Sequence, residues 1–142
     1  MHKQFYASGF LYHLPSEQIL LQQDISSENL SSPWLLFEKS HTEIEIPETV
    51  FKNIISEVLY IDIDTIYPVY AYERDNANQN VFYSELETFQ DFSSTDELIF
   101  KWFSFRDIRS LQITEEMKHD IVVGQRVIEA SGRKSRGEHT FQ

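Results

Sequence analysis

The stretch from Lys39 to Ile61, KSHTEIEIPETVFKNIISEVLYI, limits what this chain can fold into more than any other part of it. From Pro47 onward the apolar residues Val50, Phe51, Ile54, Ile55, Val58 and Leu59 recur with the period of a helix that buries a single stripe. Pro47 suits the first helical position, where its missing N–H would have no partner anyway. Glu48 in the first turn favours the positive helix end. The opposite face carries Lys52, Asn53, Ser56 and Glu57. A glutamate-bearing loop therefore runs into one short amphipathic helix.

The segments on either side supply the layer such a helix needs. Phe5–Tyr12 reads as a strand, Pro15-Ser16 as a turn and Gln18–Gln23 as the second strand of a hairpin. Asp24–Ser32 is a polar loop, and Pro33–Phe37 a short third strand. Ile61–Glu73 alternates strongly and predicts one or two strands, with an edge or a bulge at Pro68 because proline cannot donate to a ladder. Arg74–Gln79 is an Asn-rich turn, Asn80–Glu87 a returning strand, Thr88–Asp96 an acidic loop and Glu97–Phe105 the last strand. After a turn at Arg106-Asp107, Thr114 caps a second helix with Glu115 and Glu116 in its first turn. The apolar face of that helix is Met117, Ile121, Val122 or Val123, Val127 and Ile128. Strands mixed with two helices imply a mixed sheet covered on both faces, an α/β/α sandwich.

Composition narrows the function classes. A chain of 142 residues is a single-domain length. No apolar run approaches the roughly 20 residues that cross a bilayer, and the start MHKQFYASGF lacks the core of a signal peptide. With no cysteine there is no disulfide, thiol nucleophile or thiolate metal site. A cytoplasmic protein fits these features. The net charge of −11 argues against general nucleic-acid binding, which needs clustered Lys and Arg. Residues 1–130 read as one domain. Residues 131–142, with Arg133, Lys134 and Arg136 against Glu138, read as a basic, flexible tail. No glycine lies between Gly9 and Gly124, so neither a dinucleotide fingerprint nor a phosphate-cradling loop is present.

The central stretch resembles a Nudix box, Gly-x5-Glu-x7-Arg-Glu-U-x-Glu-Glu-x-Gly-U with U a bulky aliphatic. Laid without gaps on Lys39–Ile61, the pattern matches at Glu45, Ile55, Glu57 and Ile61. It departs at Lys39 and Tyr60 for glycine, Asn53 for arginine, and Ile54 and Val58 for glutamate. Trp34-Leu35-Leu36 before the box and Tyr67-Pro68-Val69-Tyr70 after it resemble the family's flanking strands. Lys101-Trp102-Phe103-Ser104 with Arg106-Asp107-Ile108 resembles its late strand and the turn that follows. The resemblance implies a Nudix-like α/β/α sandwich with a mixed β-sheet and two main helices. It also implies hydrolysis of a nucleoside diphosphate linked to another group, with Mg2+ or Mn2+ held by the box carboxylates.

Positions 54, 57 and 58 lie three and four apart on the helix, so their side chains converge on one patch. Three carboxylates there would hold a divalent cation against a pyrophosphate. This chain offers Ile54, Glu57 and Val58, so Glu57 is the one metal candidate of the patch. The expected function is therefore a Nudix-fold protein that binds a nucleotide-like or phosphorylated ligand with weak or no hydrolysis. The alternatives are an active metal-dependent hydrolase drawing on Glu45, Glu57, Glu85, Glu87 or Glu97, and a protein-interaction scaffold or homodimer. Glu57, Glu45 and Glu97 are the catalytic candidates, and Glu97 precedes the late strand where some Nudix enzymes place a general base. Trp102, Phe82 and Tyr83 are the candidates for stacking on a base, although alternation puts most of these rings in the core. His41, Glu43 and Glu45 alternate without metal-specific spacing, as a solvated strand edge does.

Overall fold

The computed structural model describes residues 4–26 and 32–135. In chain order the elements are β1 (Gln4–His13), β2 (Gln18–Asp24), β3 (Trp34–Leu35), β4 (Phe37–His41), α1 (Pro47–Leu59), β5 (Tyr67–Arg74), β6 (Ala77–Glu85), β7 (Leu98–Ser104), the single turn α2 (Phe105–Ile108) and α3 (Glu115–Ser135). Strand β1 is the axis of a mixed sheet. Parallel β6 follows it from Gln4↔Ala77 to Tyr12↔Glu85. Antiparallel β4 pairs with its first half, Phe5↔His41 to Gly9↔Phe37, and antiparallel β2 with its last three residues. β7 runs along all of β2, β3 pairs with Gln22 and Gln23, and β5 flanks β6.

Alternation along each strand divides the core into two layers. Ala7, Leu11, Leu20, Phe82 and Trp102 pack against Val50, Phe51, Ile54, Ile55 and Leu59 of α1. Their neighbours Phe10, Tyr12, Ile19, Leu21, Tyr83 and Phe103 pack on the other face, against Ile121 and Ile128 of α3. The result is the α/β/α sandwich expected from the sequence. Among the described residues, no helix is long and apolar enough to cross a membrane.

Four boundaries differ from expectation, each for a local reason. The single strand over 33–37 breaks at Leu36, because Trp34-Leu35 pairs with β2 whereas Phe37–His41 pairs with β1. Lys39 consequently lies inside β4, and the loop before α1 shrinks to residues 42–46. Residues 60–66 are irregular, and β5 begins only at Tyr67, with the expected irregularity between Pro68 and Tyr70. The loop at 74–79 is a two-residue turn, since Asp75 and Asn76 adopt φ of 50° and 65° and Arg74 pairs with Ala77. Two consecutive positive φ angles match the right-handed twist of a tight hairpin. Finally, α3 does not stop near residue 130 but continues to Ser135, so the expected flexible tail is helical over its first five residues. The rest of that segment, with Arg136, lies outside the described residues.

Candidate functional site

Helix α1 begins at Pro47 after an extended Ile46 whose side chain makes no capping bond. It ends at Tyr60, which adopts the left-handed conformation (φ 59°, ψ 36°) while its N–H bonds to the Ser56 carbonyl at 3.0 Å. Glycine favours this geometry, and a tyrosine that is 86% exposed gains no packing in return. The apolar stripe is as the spacing predicts. Ile54 is 5% exposed within the core, and Val58 packs half-buried against the same cluster.

The patch of positions 54, 57 and 58 therefore presents one polar group. Glu57 faces solvent, and its Oε2 lies 3.5 Å from the ammonium of Lys39. The cation comes from β4 opposite Ala7, whose side chain is in the α1-side core, so Lys39 projects toward α1. A departure from the box pattern at its first position and a match inside its helix thus meet in one ion pair. Mg2+ and Mn2+ require several oxygen donors. A single carboxylate already paired with an ammonium, beside two aliphatic side chains, does not fit a divalent ion. Among the described residues no group of three or more His, Cys, Asp or Glu side chains stands ready for a metal.

The other acids are dispersed. Glu45 turns back on its own loop, where its Oε1 accepts from the Thr42 N–H at 3.2 Å and the Thr42 hydroxyl at 3.1 Å. Those bonds pull its carboxyl below the usual range. Glu97 precedes β7; its N–H donates to Thr95 Oγ1, and its carbonyl accepts from Ile25. Glu85 and Glu87 line an open cavity of about 420 Å³ with Asp62 and Asp64, and neither Glu45, Glu57 nor Glu97 lines it.

The aromatic candidates separate likewise. Phe82 is 5% exposed with its ring against Phe51, and Tyr83 is 1% exposed between the stacked rings of Phe10 and Tyr67. Both rings are packed in the core, Phe82 on the α1 side and Tyr83 on the α3 side. Trp102 is also largely buried and donates its indole N–H to the Gln90 carbonyl at 2.6 Å, but it borders a cavity of about 260 Å³ with Phe89, Phe92 and Lys101.

A second region, on the α3 side, is absent from the sequence-based candidates. Tyr70 and Tyr72, two apart on β5, point at α3 and both donate to Asp120 Oδ1, at 2.6 and 2.9 Å. Asp120 is 1% exposed. Its burial outweighs the two hydrogen bonds and raises its carboxyl above the ordinary value. Burial, followed by the charge of Asp120, pushes Tyr72 up to about 12, and burial with the Asp120 bond raises Tyr70 as well. Tyr70, Tyr72, Glu115, Glu116 and His119 line an open cavity of about 450 Å³. The Tyr70 ring lies 4.9 Å from Tyr72 and 6.0 Å from His119. On the same sheet face, Gln79 donates its amide to Ser8 Oγ at 2.9 Å and Glu38 Oε1 at 2.7 Å, and its own carbonyl oxygen is buried without a partner. A sequence signal did exist, in that Asp120 falls between Met117 and Ile121 on the apolar stripe of α3. A polar residue in such a stripe marks a buried polar site.

No family sequence model matches the chain. No curated protein matches it by sequence either. Solved structures do match by shape. A MutT from work on Aliivibrio salmonicida and Vibrio cholerae superposes with a TM-score of 0.70 at 13% identity, covering 89% of this chain and 98% of that one. A mutT/nudix family protein from Listeria innocua gives 0.71 at 12%, covering 92% and 97%. The NUDIX domain of Shewanella oneidensis NrtR, solved with ADP ribose, gives 0.70 at 13%, covering 90% of each chain. The chain has the Nudix fold.

Proposed function

We propose that this protein binds a nucleotide-like, phosphate-bearing ligand and hydrolyses it weakly or not at all. The observation that carries the reading is the state of α1. Ile54 is buried, Val58 packs on the core, and the remaining Glu57 is paired with Lys39. Metal stabilisation of developing charge supplies several kcal/mol in hydrolysis of this kind, and its loss removes roughly two or more decades of rate. The cavity on the α3 side retains the means to bind. The rings of Tyr70, Tyr72 and His119 suit a flat heterocycle, and Glu115 and Glu116 accept from its amino groups. The ADP ribose bound by the NrtR domain makes that compound the first probe. The absence of cysteine accords with a cytoplasmic setting, which is part of the proposal.

Thermal melting against ADP ribose and a nucleoside diphosphate panel, with and without Mg2+ or Mn2+, tests the reading. A ligand at 100 times its Kd stabilises by about 2.7 kcal/mol, a shift well outside error. Such a shift is expected in the wild type and should vanish in Tyr70→Ala. Flat melts across the panel would refute the reading and favour an interaction scaffold. Release of products that depends on Mn2+ would instead favour an active hydrolase using acids outside the patch.

A further inference from the structure

Building on the ligand reading above, on which it rests, we infer that the α3-side cavity selects a cationic heterocycle, a ring charged at an alkylated nitrogen, over a neutral one. The cavity of about 450 Å³ is walled by Tyr70 and Tyr72 from β5 and by Glu115, Glu116 and His119 from α3. On the helix, Glu115 and His119 lie four apart, as do Glu116 and Asp120, so all four occupy adjoining turns of one face. Three of the four are acids. A phosphate-bearing nucleotide with a neutral ring brings only negative charge to them, whereas a cationic ring offsets it.

The aromatic wall is suited to the same charge. Buried Asp120 accepts from both phenol hydroxyls at one oxygen, at 2.6 and 2.9 Å. Hydrogen bonds linked in this way polarise one another and leave the phenol rings richer in electrons. The face of an aromatic ring attracts a cation within about 6 Å of its centre, more strongly where water is displaced. Tyr70 and Tyr72 have centroids 4.9 Å apart and planes tilted by 44°, so one flat cation reaches both. Glu115 and Glu116 are exposed and stand at the rim, where they pair with the ring charge. Arg74, at the end of β5, acts on Asp120 and Tyr72 but does not line the cavity.

The test is calorimetric titration of the full chain at neutral pH in EDTA, with N1-methyl-ADP, its isomer N6-methyl-ADP, and ADP ribose. The two isomers share their phosphates and the size of their rings, but only the first carries a ring charge. The cationic isomer is expected to bind roughly tenfold tighter, the preference that a cation–π contact supports. The double variant Glu115→Gln with Glu116→Gln, shown by melting to be folded, should bring that ratio toward one. Raising the salt concentration on the wild type should also reduce it, because charges at the rim are screened. Equal affinities, or a preference that neither the glutamines nor salt reduces, would overturn the inference, while binding of ADP ribose would leave the ligand reading standing. Failure of all three compounds to bind would overturn the two together.

Discussion

Removing the Asp120 carboxylate should reveal how the α3 side of the molecule is held. In Asp120→Ala two tyrosine hydroxyls, at 2.6 and 2.9 Å from one oxygen, lose their acceptor together. Hydrogen bonds to a charged acceptor contribute about 1.5–3 kcal/mol each. Tyr70 and Tyr72 border an open cavity, so water recovers part of that loss. The net cost should be about 3 kcal/mol, or a fall in Tm of about 10 °C for a domain of this length. Asp120→Asn keeps an oxygen acceptor in the same place and should cost less than about 1 kcal/mol. The pair also separates in pH. Because burial raises the folded pKa of Asp120, its contribution to stability is complete below the unfolded value of 3.8 and is lost as pH climbs through the raised value. The wild type should therefore lose ground to Asp120→Asn as pH rises from the acid range to neutrality. Urea unfolding followed by tryptophan fluorescence at several pH values measures all three quantities. An alanine variant as stable as the wild type, or an asparagine variant as damaged as alanine, would refute the reasoning.

Replacing Tyr60 by glycine relieves a left-handed tyrosine and should raise stability by about 1 kcal/mol, measured by urea unfolding. Gly9→Ala should abolish or severely weaken folding, because a Cβ there would fall 2.1 Å from the Phe82 carbonyl oxygen; Gly124→Ala would put a Cβ 2.8 Å from the buried Phe10 ring, a side chain instead of backbone, and should cost less, as circular dichroism melts would show. Tyr12 and Tyr72 are both held up to about 12, so the stability they confer is intact below 10 and lost as pH rises toward 12, and phenolate absorbance should rise together with alkaline unfolding.

Much of the architecture is legible in the residues themselves. The α1 stripe follows from the helical period of Val50 to Leu59, and the division of the core follows from neighbours such as Phe82-Tyr83 and Trp102-Phe103 facing opposite ways. Boundaries are less legible because partners set them. Nothing local in Trp34–His41 says that pairing switches from β2 to β1 at Leu36. The site divides in the same manner. The aliphatic residues at positions 54 and 58 are visible in one dimension, but the contact between Lys39 and Glu57 joins residues 18 apart. The Tyr70–Tyr72–Asp120 group spans about fifty residues and needs the packed α3 against β5 to exist. The burial of Phe82 and Tyr83 is not legible in the same way, because an aromatic strand residue reads alike whether its face is free or covered.

Turnover of ADP ribose at saturating concentration, with a high concentration of protein and Mn2+ present, is the decisive observation on α1. If burial of Ile54, packing of Val58 and neutralisation of Glu57 have removed the metal chemistry, the ligand should remain intact over hours while the same sample still melts at a raised temperature. Cleavage of the diphosphate over many turnovers, abolished by EDTA and by Glu57→Gln, would show that the helix still holds its metal and that the assignment is wrong.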